Sequence, residues 1–269
     1  MNEESAGGLI PPRRNRDEMR VYGLNACLAL FAKRPHDLRK VYLLESRIPH
    51  LKAVLAWCVQ KKLGYRVVGN TDLEKLAASQ HHEGVCFEAR KHPLPPLTAL
   101  LQRLPRAPEA ALLVWLDGVG NPHNIGAVLR SAANFGATGV LLSADAAPAL
   151  SGAAYRVAEG GAEAVPMARV AAGEDALGAL RNAGFTLAAT VPREGEALFA
   201  ARLPPRLVFA LGAEGEGLRR GLIDRADLHL TIPGSGAVES LNVSASAAVL
   251  FGEYWRQHRQ AKPERRSHR

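Results

Sequence analysis

Six short, almost uninterrupted apolar runs recur from residue 111 onward, and segments with helical spacing separate them. The runs are ALLVWLD (111–117), GVLLS (139–143), AVPMARV (164–170), FTLAATV (185–191), RLVFALG (206–212) and LHLTIP (228–233). The helix candidates are residues 124–135, 151–159, 174–182, 218–225 and 242–258. Continuous apolar strands are typical of a parallel sheet buried on both faces. The alternation therefore predicts an open α/β sheet with helices on either side.

A smaller α/β unit precedes this region. Its strand candidates are residues 41–46, 65–69 and 84–90. Its helix candidates are residues 26–32 with Asn25 as the N-cap, an apolar stripe over 51–58 that Gly64 ends, and a helix opened by the capping box TDLE at 71–74. The prolines of KHPLPPL (91–97) indicate a linker. The predicted organisation is a disordered tail (1–18), a small domain (19–90), a linker (91–109), a larger domain (110–258) and a basic tail (259–269).

The basic residues lie mainly at the two ends of the chain, which has a net charge of +8. Residues 1–96 carry 16 Lys or Arg against 10 Asp or Glu, and residues 256–269 carry 6 against 1. The long middle is slightly acidic, so a polyanion such as a nucleic acid would be attracted mainly by the ends.

Other features limit the class of protein. No apolar run reaches the roughly 18 residues of a membrane span, and the first 20 residues have no apolar core, so we expect neither a membrane protein nor a secretory signal. Cys27, Cys58 and Cys86 are odd in number and widely spaced. We therefore expect free thiols in a reducing cytoplasm, with no disulfide and no metal site.

The loops that follow strands carry the candidate chemistry, since ligands of open α/β sheets bind beyond the carboxyl ends of the strands. In GVGNPH, His123 stands where G-x-G-x-x-G requires glycine, which disfavours a dinucleotide-binding Rossmann enzyme. In the following helix, Asn124 is either a cap or a site residue. Arg130 stands alone among small apolar residues, so it should have a partner.

Two further loops are rich in glycine. In LGAEGEGL, Gly212, Gly215 and Gly217 alternate with two carboxylates, which favours a cationic or adenosine-like ligand over a phosphate; a tight turn is the alternative. In IPGSGAVESLNVS, Ser240 and Asn242 are candidate helix caps as well as candidate site residues. The small residues after Asn242 predict close helix packing, including across a subunit interface.

The three segments NPHNIGAVLRSA, LGAEGEGL and IPGSGAVESLNVSASAA, in this order, closely resemble the signature motifs of the SpoU (TrmH) family. These are RNA ribose 2′-O-methyltransferases of the SPOUT superfamily. The segments VYGLNACLAL (21–30) and HHEGVCFEAR (81–90) resemble the family's small RNA-binding domain, which is similar to a ribosomal-protein fold.

This resemblance implies a deep trefoil knot in the catalytic domain, S-adenosylmethionine as the cofactor, a homodimer, and RNA rather than DNA as the partner. The positions that match the active site are Asn124, Arg130, Glu214, Ser240 and Asn242. The positions that match the cofactor site are Gly212, Gly217, Ile232, Leu241 and Val243. No membrane and no metal are implied.

The implied reaction is methyl transfer to a ribose 2′-hydroxyl of ribosomal or transfer RNA. Arg130 would stabilise the developing alkoxide and clamp phosphate, or act as the base if it is desolvated. Asn124 and Asn242 would orient the ribose and Arg130, while Ser240 and Glu214 would support the loops and Glu214 would anchor Arg130. The alternative function is a non-catalytic RNA-binding or ribosome-assembly factor with the same fold.

Overall fold

The computed structural model describes residues 17–143 and 150–258. The predicted basic tail (259–269) and nearly all of the predicted N-terminal tail lie outside the described residues. The strands are β1 (Glu18–Tyr22), β2 (Leu38–Leu43), β3 (Gly64–Val67), β4 (Val85–Arg90), β5 (Ala111–Asp117), β6 (Gly139–Ser143), β7 (Met167–Val170), β8 (Thr186–Thr190), β9 (Glu196–Ala197), β10 (Arg206–Gly212) and β11 (Leu228–Thr231). The helices are α1 (Leu24–Lys33), α2 (Lys52–Lys61), α3 (Asn70–Ala77), α4 (Leu97–Leu101), α5 (Pro122–Asn134), α6 (Gly152–Ala158), α7 (Gly161–Ala164), α8 (Ala176–Asn182), α9 (Arg220–Ile223) and α10 (Val243–His258).

The chain forms two compact units, and the first contains residues 17–93 together with 150–164. Its four-stranded sheet has the order β1-β4-β2-β3, with β2 and β3 parallel and the other pairs antiparallel. The Arg20 guanidinium donates to Glu88 and to the Leu76 carbonyl across the sheet. Burial, reinforced by the nearby Glu88 carboxylate, raises the pKa of Tyr42 to about 12. The three cysteines are buried and free, as expected.

Two helices reach the first unit from a distant part of the sequence. Arg34 forms an ion pair of 2.8 Å with Glu163, whose side chain is 9% exposed, beside the α1–α7 packing. Arg156 of α6 pairs with Glu83 and donates to the His81 carbonyl. The first unit is therefore discontinuous in sequence, and residues 150–164 leave the range 110–258 that we predicted for one domain.

The second unit contains residues 94–143 and 165–258, and its sheet has seven parallel strands in the order β7-β6-β5-β10-β8-β11-β9. On one face, α4, α8 and α9 pack against Trp115, Val208 and neighbouring side chains. On the other, α5 and α10 lie together, and Phe251 of α10 contacts Phe209 with 6.5 Å between ring centroids. The predicted parallel α/β sheet with helices on both faces is confirmed.

Several local predictions were wrong. Helix α1 begins after Gly23, so Asn25 lies within it and its amide instead donates to Glu159. Helix α3 begins at Asn70 without a side-chain cap, and Gly64 opens β3 instead of ending α2. These helices start and stop through backbone conformation, as at Lys62, which ends α2 with a φ of 54°.

The predicted element boundaries also change in three places. Residues 161–164 of the predicted strand 164–170 region form α7, and the strand β7 begins only at Met167. The strands β1 and β9 were not predicted, and β1 includes Glu18 of the predicted tail. The predicted linker contains α4.

Candidate active site

The side chain of Asn242 joins the three glycine-rich and asparagine-rich segments of the second unit. Its Nδ2 donates to the Asn124 Oδ1 at 3.1 Å and to Glu214 Oε1. Its Oδ1 accepts from the backbone N–H of Ser244 at 2.8 Å, which caps the start of α10. Asn242 is therefore both a helix cap and the link between the segments after β5, β10 and β11.

The position of Asn124 follows from how α5 begins. Asn121 is the N-cap, since its side chain accepts from the His123 N–H at 2.9 Å, and Pro122 occupies the first helical position. Asn124 consequently lies inside the helix with 9% of its surface exposed, so the helix-cap interpretation of this residue was wrong. A nearly buried amide needs a hydrogen-bond partner, and Asn242 supplies it.

The glycines after β10 have backbone reasons of their own. A Cβ on Gly212 would overlap the backbone of Gly217 and Leu218, because the Gly217 N–H donates to the Ala213 carbonyl at 2.8 Å and folds the loop back. Gly215 and Gly217 have φ values of 86° and 72°, which side chains with a Cβ rarely adopt. The tight turn that stood as the alternative interpretation is therefore present, and it presents Glu214 to Asn242.

A second cluster of polar residues, which the sequence analysis did not identify, holds the far end of the same loop. The Asp117 carboxylate is 1% exposed and accepts from the Arg219 guanidinium, from the Arg219 N–H at 3.1 Å and from Ser143 Oγ at 3.2 Å. Trp115 Nε1 donates to the same Ser143 Oγ. Since Asp117 ends β5 opposite Gly212, this cluster attaches the glycine loop to the sheet. The sequence signal was an acidic residue at the carboxyl end of a buried strand.

Arg130 does not have the partner that we expected. Its side chain is exposed on α5, and no hydrogen bond or ion pair joins it to another of residues 17–143 and 150–258. Glu214 binds Asn242 instead of Arg130, so the expected Glu214–Arg130 anchor is absent from this part of the chain. The guanidinium is available to bind an anion from outside the protein.

The remaining predicted residues lie on or beside the loop that follows β11. Ser240 and Leu241 are exposed, Ile232 is half-buried, and Val243 is buried at the start of α10. A Cβ placed on Gly215, Gly217, Gly234 or Gly236 would meet no atom within 4 Å. The backbones of the two glycine loops therefore face open space, and a ligand can approach them closely.

Residues 111–252, more than half of the chain, match the model of the SpoU rRNA Methylase family. The chain belongs to this family. Residues 20–95 match a second model, RNA 2′-O ribose methyltransferase substrate binding, so the first unit contains an RNA substrate-binding region of the SpoU type. The resemblance found in the sequence is thus confirmed.

Relatives of this SpoU chain include an uncharacterized tRNA/rRNA methyltransferase, YfiF, from Escherichia coli O157:H7, 39% identical over 92% of this chain and 70% of the relative. The 23S rRNA (guanosine-2′-O-)-methyltransferase RlmB of Nitrosomonas europaea is 33% identical over 89% of this chain and 92% of its own. The crystal structure of the SpoU methyltransferase AviRb from Streptomyces viridochromogenes in complex with AdoMet has a TM-score of 0.74, with 22% identity and 90% of each chain covered. This last likeness concerns the fold.

Two classes of site were also searched for in the described parts of this SpoU protein. Within residues 17–143 and 150–258, no group of three or more His, Cys, Asp or Glu side chains could hold a metal ion. None of the helices in those ranges is long and apolar enough to cross a membrane.

Proposed function

We propose that this protein transfers a methyl group from S-adenosylmethionine to the 2′-hydroxyl of a ribose in ribosomal or transfer RNA. The observation that carries the proposal is the junction at Asn242, which brings Asn124 and Glu214 together from segments 118 and 28 residues away. Family membership and the substrate-binding region support it. Because relatives include 23S rRNA (guanosine-2′-O-)-methyltransferases, ribosomal RNA is the first substrate to test.

The two glycine loops fit the proposed cofactor. Their backbones face open space at Gly215, Gly217, Gly234 and Gly236, and the loop after β11 exposes 46% of Leu241. Apolar side chains and backbone carbonyls suit a sulfonium and an adenine better than a phosphate, and Glu214 would repel a phosphate. Together with Leu241, the residues proposed to hold the cofactor are Gly212, Gly217, Ile232 and Val243. When bound, the cofactor supplies an electrophilic methyl group.

Arg130 is the residue that we propose to act on the ribose. A ribose hydroxyl is a weak nucleophile at neutral pH, so the site must take up its proton or stabilise the alkoxide that develops. A guanidinium remains protonated in proteins, which favours alkoxide stabilisation and phosphate binding over proton removal. The exposed and unpaired Arg130 side chain can turn toward an incoming RNA without breaking an existing bond to a described residue.

Asn124 and Asn242 would orient the ribose, while Glu214 and Ser240 would hold the loops. Asn242 uses one amide hydrogen on Asn124 and the other on Glu214, so its orientation is fixed before substrate arrives. We also propose that the loops of the second unit form the family's trefoil knot and that two chains associate, with the small-residue start of α10 at the interface.

The test is methyl transfer from tritiated S-adenosylmethionine to total RNA, followed by ribose-methylation mapping in cells with and without the protein. The proposal predicts incorporation and the loss of at least one 2′-O-methyl site in cells that lack the protein. RNA binding without incorporation would instead support a non-catalytic RNA-binding or ribosome-assembly factor.

A further inference from the structure

Basic residues are concentrated in the central part of the first unit. Residues 38–69, which include β2, α2 and β3, contain seven Lys or Arg side chains and a single acidic residue, Glu45. Such a local excess creates a positive potential that attracts polyanions.

The sheet topology brings many of these cations to one end. Lys40 of β2 pairs with Gly64 of the parallel β3, and Leu38 pairs with Ala89 of the antiparallel β4. The start of β2, the start of β3 and the end of β4 therefore lie side by side. Arg39, Lys62, Arg90 and Lys91 occupy this region, which we call the cationic end of the sheet.

The cationic end is open to a ligand. A cavity of about 470 Å³ lies there, lined by Arg39, Arg90, Lys91 and His92, with Asp17 and Glu18 on its acidic side. Within the described ranges, no ion pair engages the side chains of Arg39, Lys62 or Arg90. These cations are therefore available to phosphate groups.

An exposed aromatic side chain stands next to the cationic end. All four residues of β3 are exposed, and β3 is the edge strand of its sheet. Tyr65 is 46% and Val67 is 45% exposed, and their spacing of two places them on one face of the strand. Edge strands are normally short, charged or covered, so exposed aromatic and β-branched side chains here indicate a binding surface.

We propose that the cationic end and Tyr65 form a contact surface for single-stranded RNA. Arg39 and Lys62 would bind phosphates, and an unstacked base would lie on the Tyr65 ring, a combination that proteins use for flexible RNA segments. This inference rests on the proposed function and names the surface of the substrate-binding region that contacts the substrate. A protein strand added to β3 would use backbone hydrogen bonds and would gain little from the cations.

The test measures binding of a short, fluorescein-labelled single-stranded RNA to the full-length protein by fluorescence anisotropy at several salt concentrations. Tyr65→Ala is expected to weaken binding about tenfold, whereas Tyr65→Phe, which keeps the ring, should stay within about twofold. Arg39→Gln combined with Lys62→Gln should weaken binding and lower the slope of log affinity against log salt by about two. Matched controls are Phe199→Ala, an aromatic residue that is 56% exposed in the second unit, and Lys75→Gln on α3.

Methyl transfer to total RNA, measured on the same preparations, separates this inference from the proposed function. A wild-type protein that methylates and binds RNA, with Tyr65→Ala and the double variant unchanged in affinity and salt slope, would overturn the contact surface alone. A wild-type protein that neither binds the probe nor methylates RNA would overturn both. Sedimentation that shows Tyr65→Ala dissociating an oligomer, without effect on RNA affinity, would assign β3 to a second copy of the chain and also overturn the inference.

Discussion

The amide of Asn242 lies 3.1 Å from the side-chain oxygen of Asn124, a residue 118 positions earlier in the chain. The same amide group also donates to Glu214. One side chain thus fixes the relative positions of three loops that carry the proposed chemistry, and its removal should affect catalysis more than folding.

Replacing Asn242 separates its two roles. Asn242→Asp keeps the oxygen that caps α10 but loses both amide hydrogens, so we expect about a hundredfold loss of methyl transfer with little change in thermal stability. Asn242→Ala also removes the cap and should cost about 1 kcal/mol of unfolding free energy. Initial rates and thermal melts measure the two effects. Equal rates for wild type and Asn242→Asp would show that the amide has no catalytic role.

Arg130→Ala should lower methyl transfer about a hundredfold or more while S-adenosylmethionine affinity stays nearly constant, because the guanidinium is proposed to act on the ribose. Arg130→Lys keeps the charge but not the planar fork, and an intermediate rate is expected. Tritium transfer and calorimetric titration give the two quantities. The matched control is Arg103→Ala, another exposed arginine of the second unit. Wild-type turnover in Arg130→Ala would reject the assigned role.

Gly212→Ala should disrupt the glycine loop, since the new Cβ would collide with the backbone of Gly217 and Leu218. We expect a loss of about 2 kcal/mol of unfolding free energy and weaker S-adenosylmethionine binding. Gly221→Ala in α9 is the control, because its Cβ would meet no atom within 4 Å and alanine favours a helix. The measurements are chemical denaturation and cofactor titration. If Gly212→Ala matches Gly221→Ala in both, the close approach has no consequence for the site.

His82 should make the first unit sensitive to acid. Burial lowers the pKa of this imidazole below its usual value, its Nδ1 accepts from the Gly84 N–H at 3.0 Å, and its Nε2 has no partner among the described residues. Between the lowered pKa and the unfolded value of about 6.5, the unfolded state binds more protons, so stability is complete above about pH 6.5 and falls with decreasing pH.

Urea denaturation of the wild type and His82→Gln at neutral and mildly acidic pH measures this dependence. The wild type should lose more stability than the variant as the pH decreases. Parallel pH profiles for the two proteins would show that His82 does not contribute.

The second unit's sheet could be predicted because a parallel strand buried on both faces, such as ALLVWLD at 111–117, is a continuous apolar run. The strand β1 could not, because EMRVY mixes charged and apolar residues, and Arg20 is stabilised by Glu88 from a strand 68 residues later. Local sequence patterns contain no sign of such a distant partner.

The same distinction holds for the site. The motif residues could be identified from their order and resemblance, but not their contacts. Asp117 and Arg219, 102 residues apart, meet only because β5 and β10 are neighbours in the sheet. Arg130 was expected to have a partner on grounds of its apolar surroundings in the sequence, yet the helix turns it outward.

The interleaving of the chain between its two units has a consequence for how such proteins can diversify. Because Glu163 and Arg156 complete the first unit from beyond β6, a single recombination event near residue 93 would separate Arg34 and Glu83 from their counterions. Grafting a foreign recognition module onto this catalytic half would need two coordinated crossovers. Gradual surface substitution is therefore the easier evolutionary route to a new RNA target.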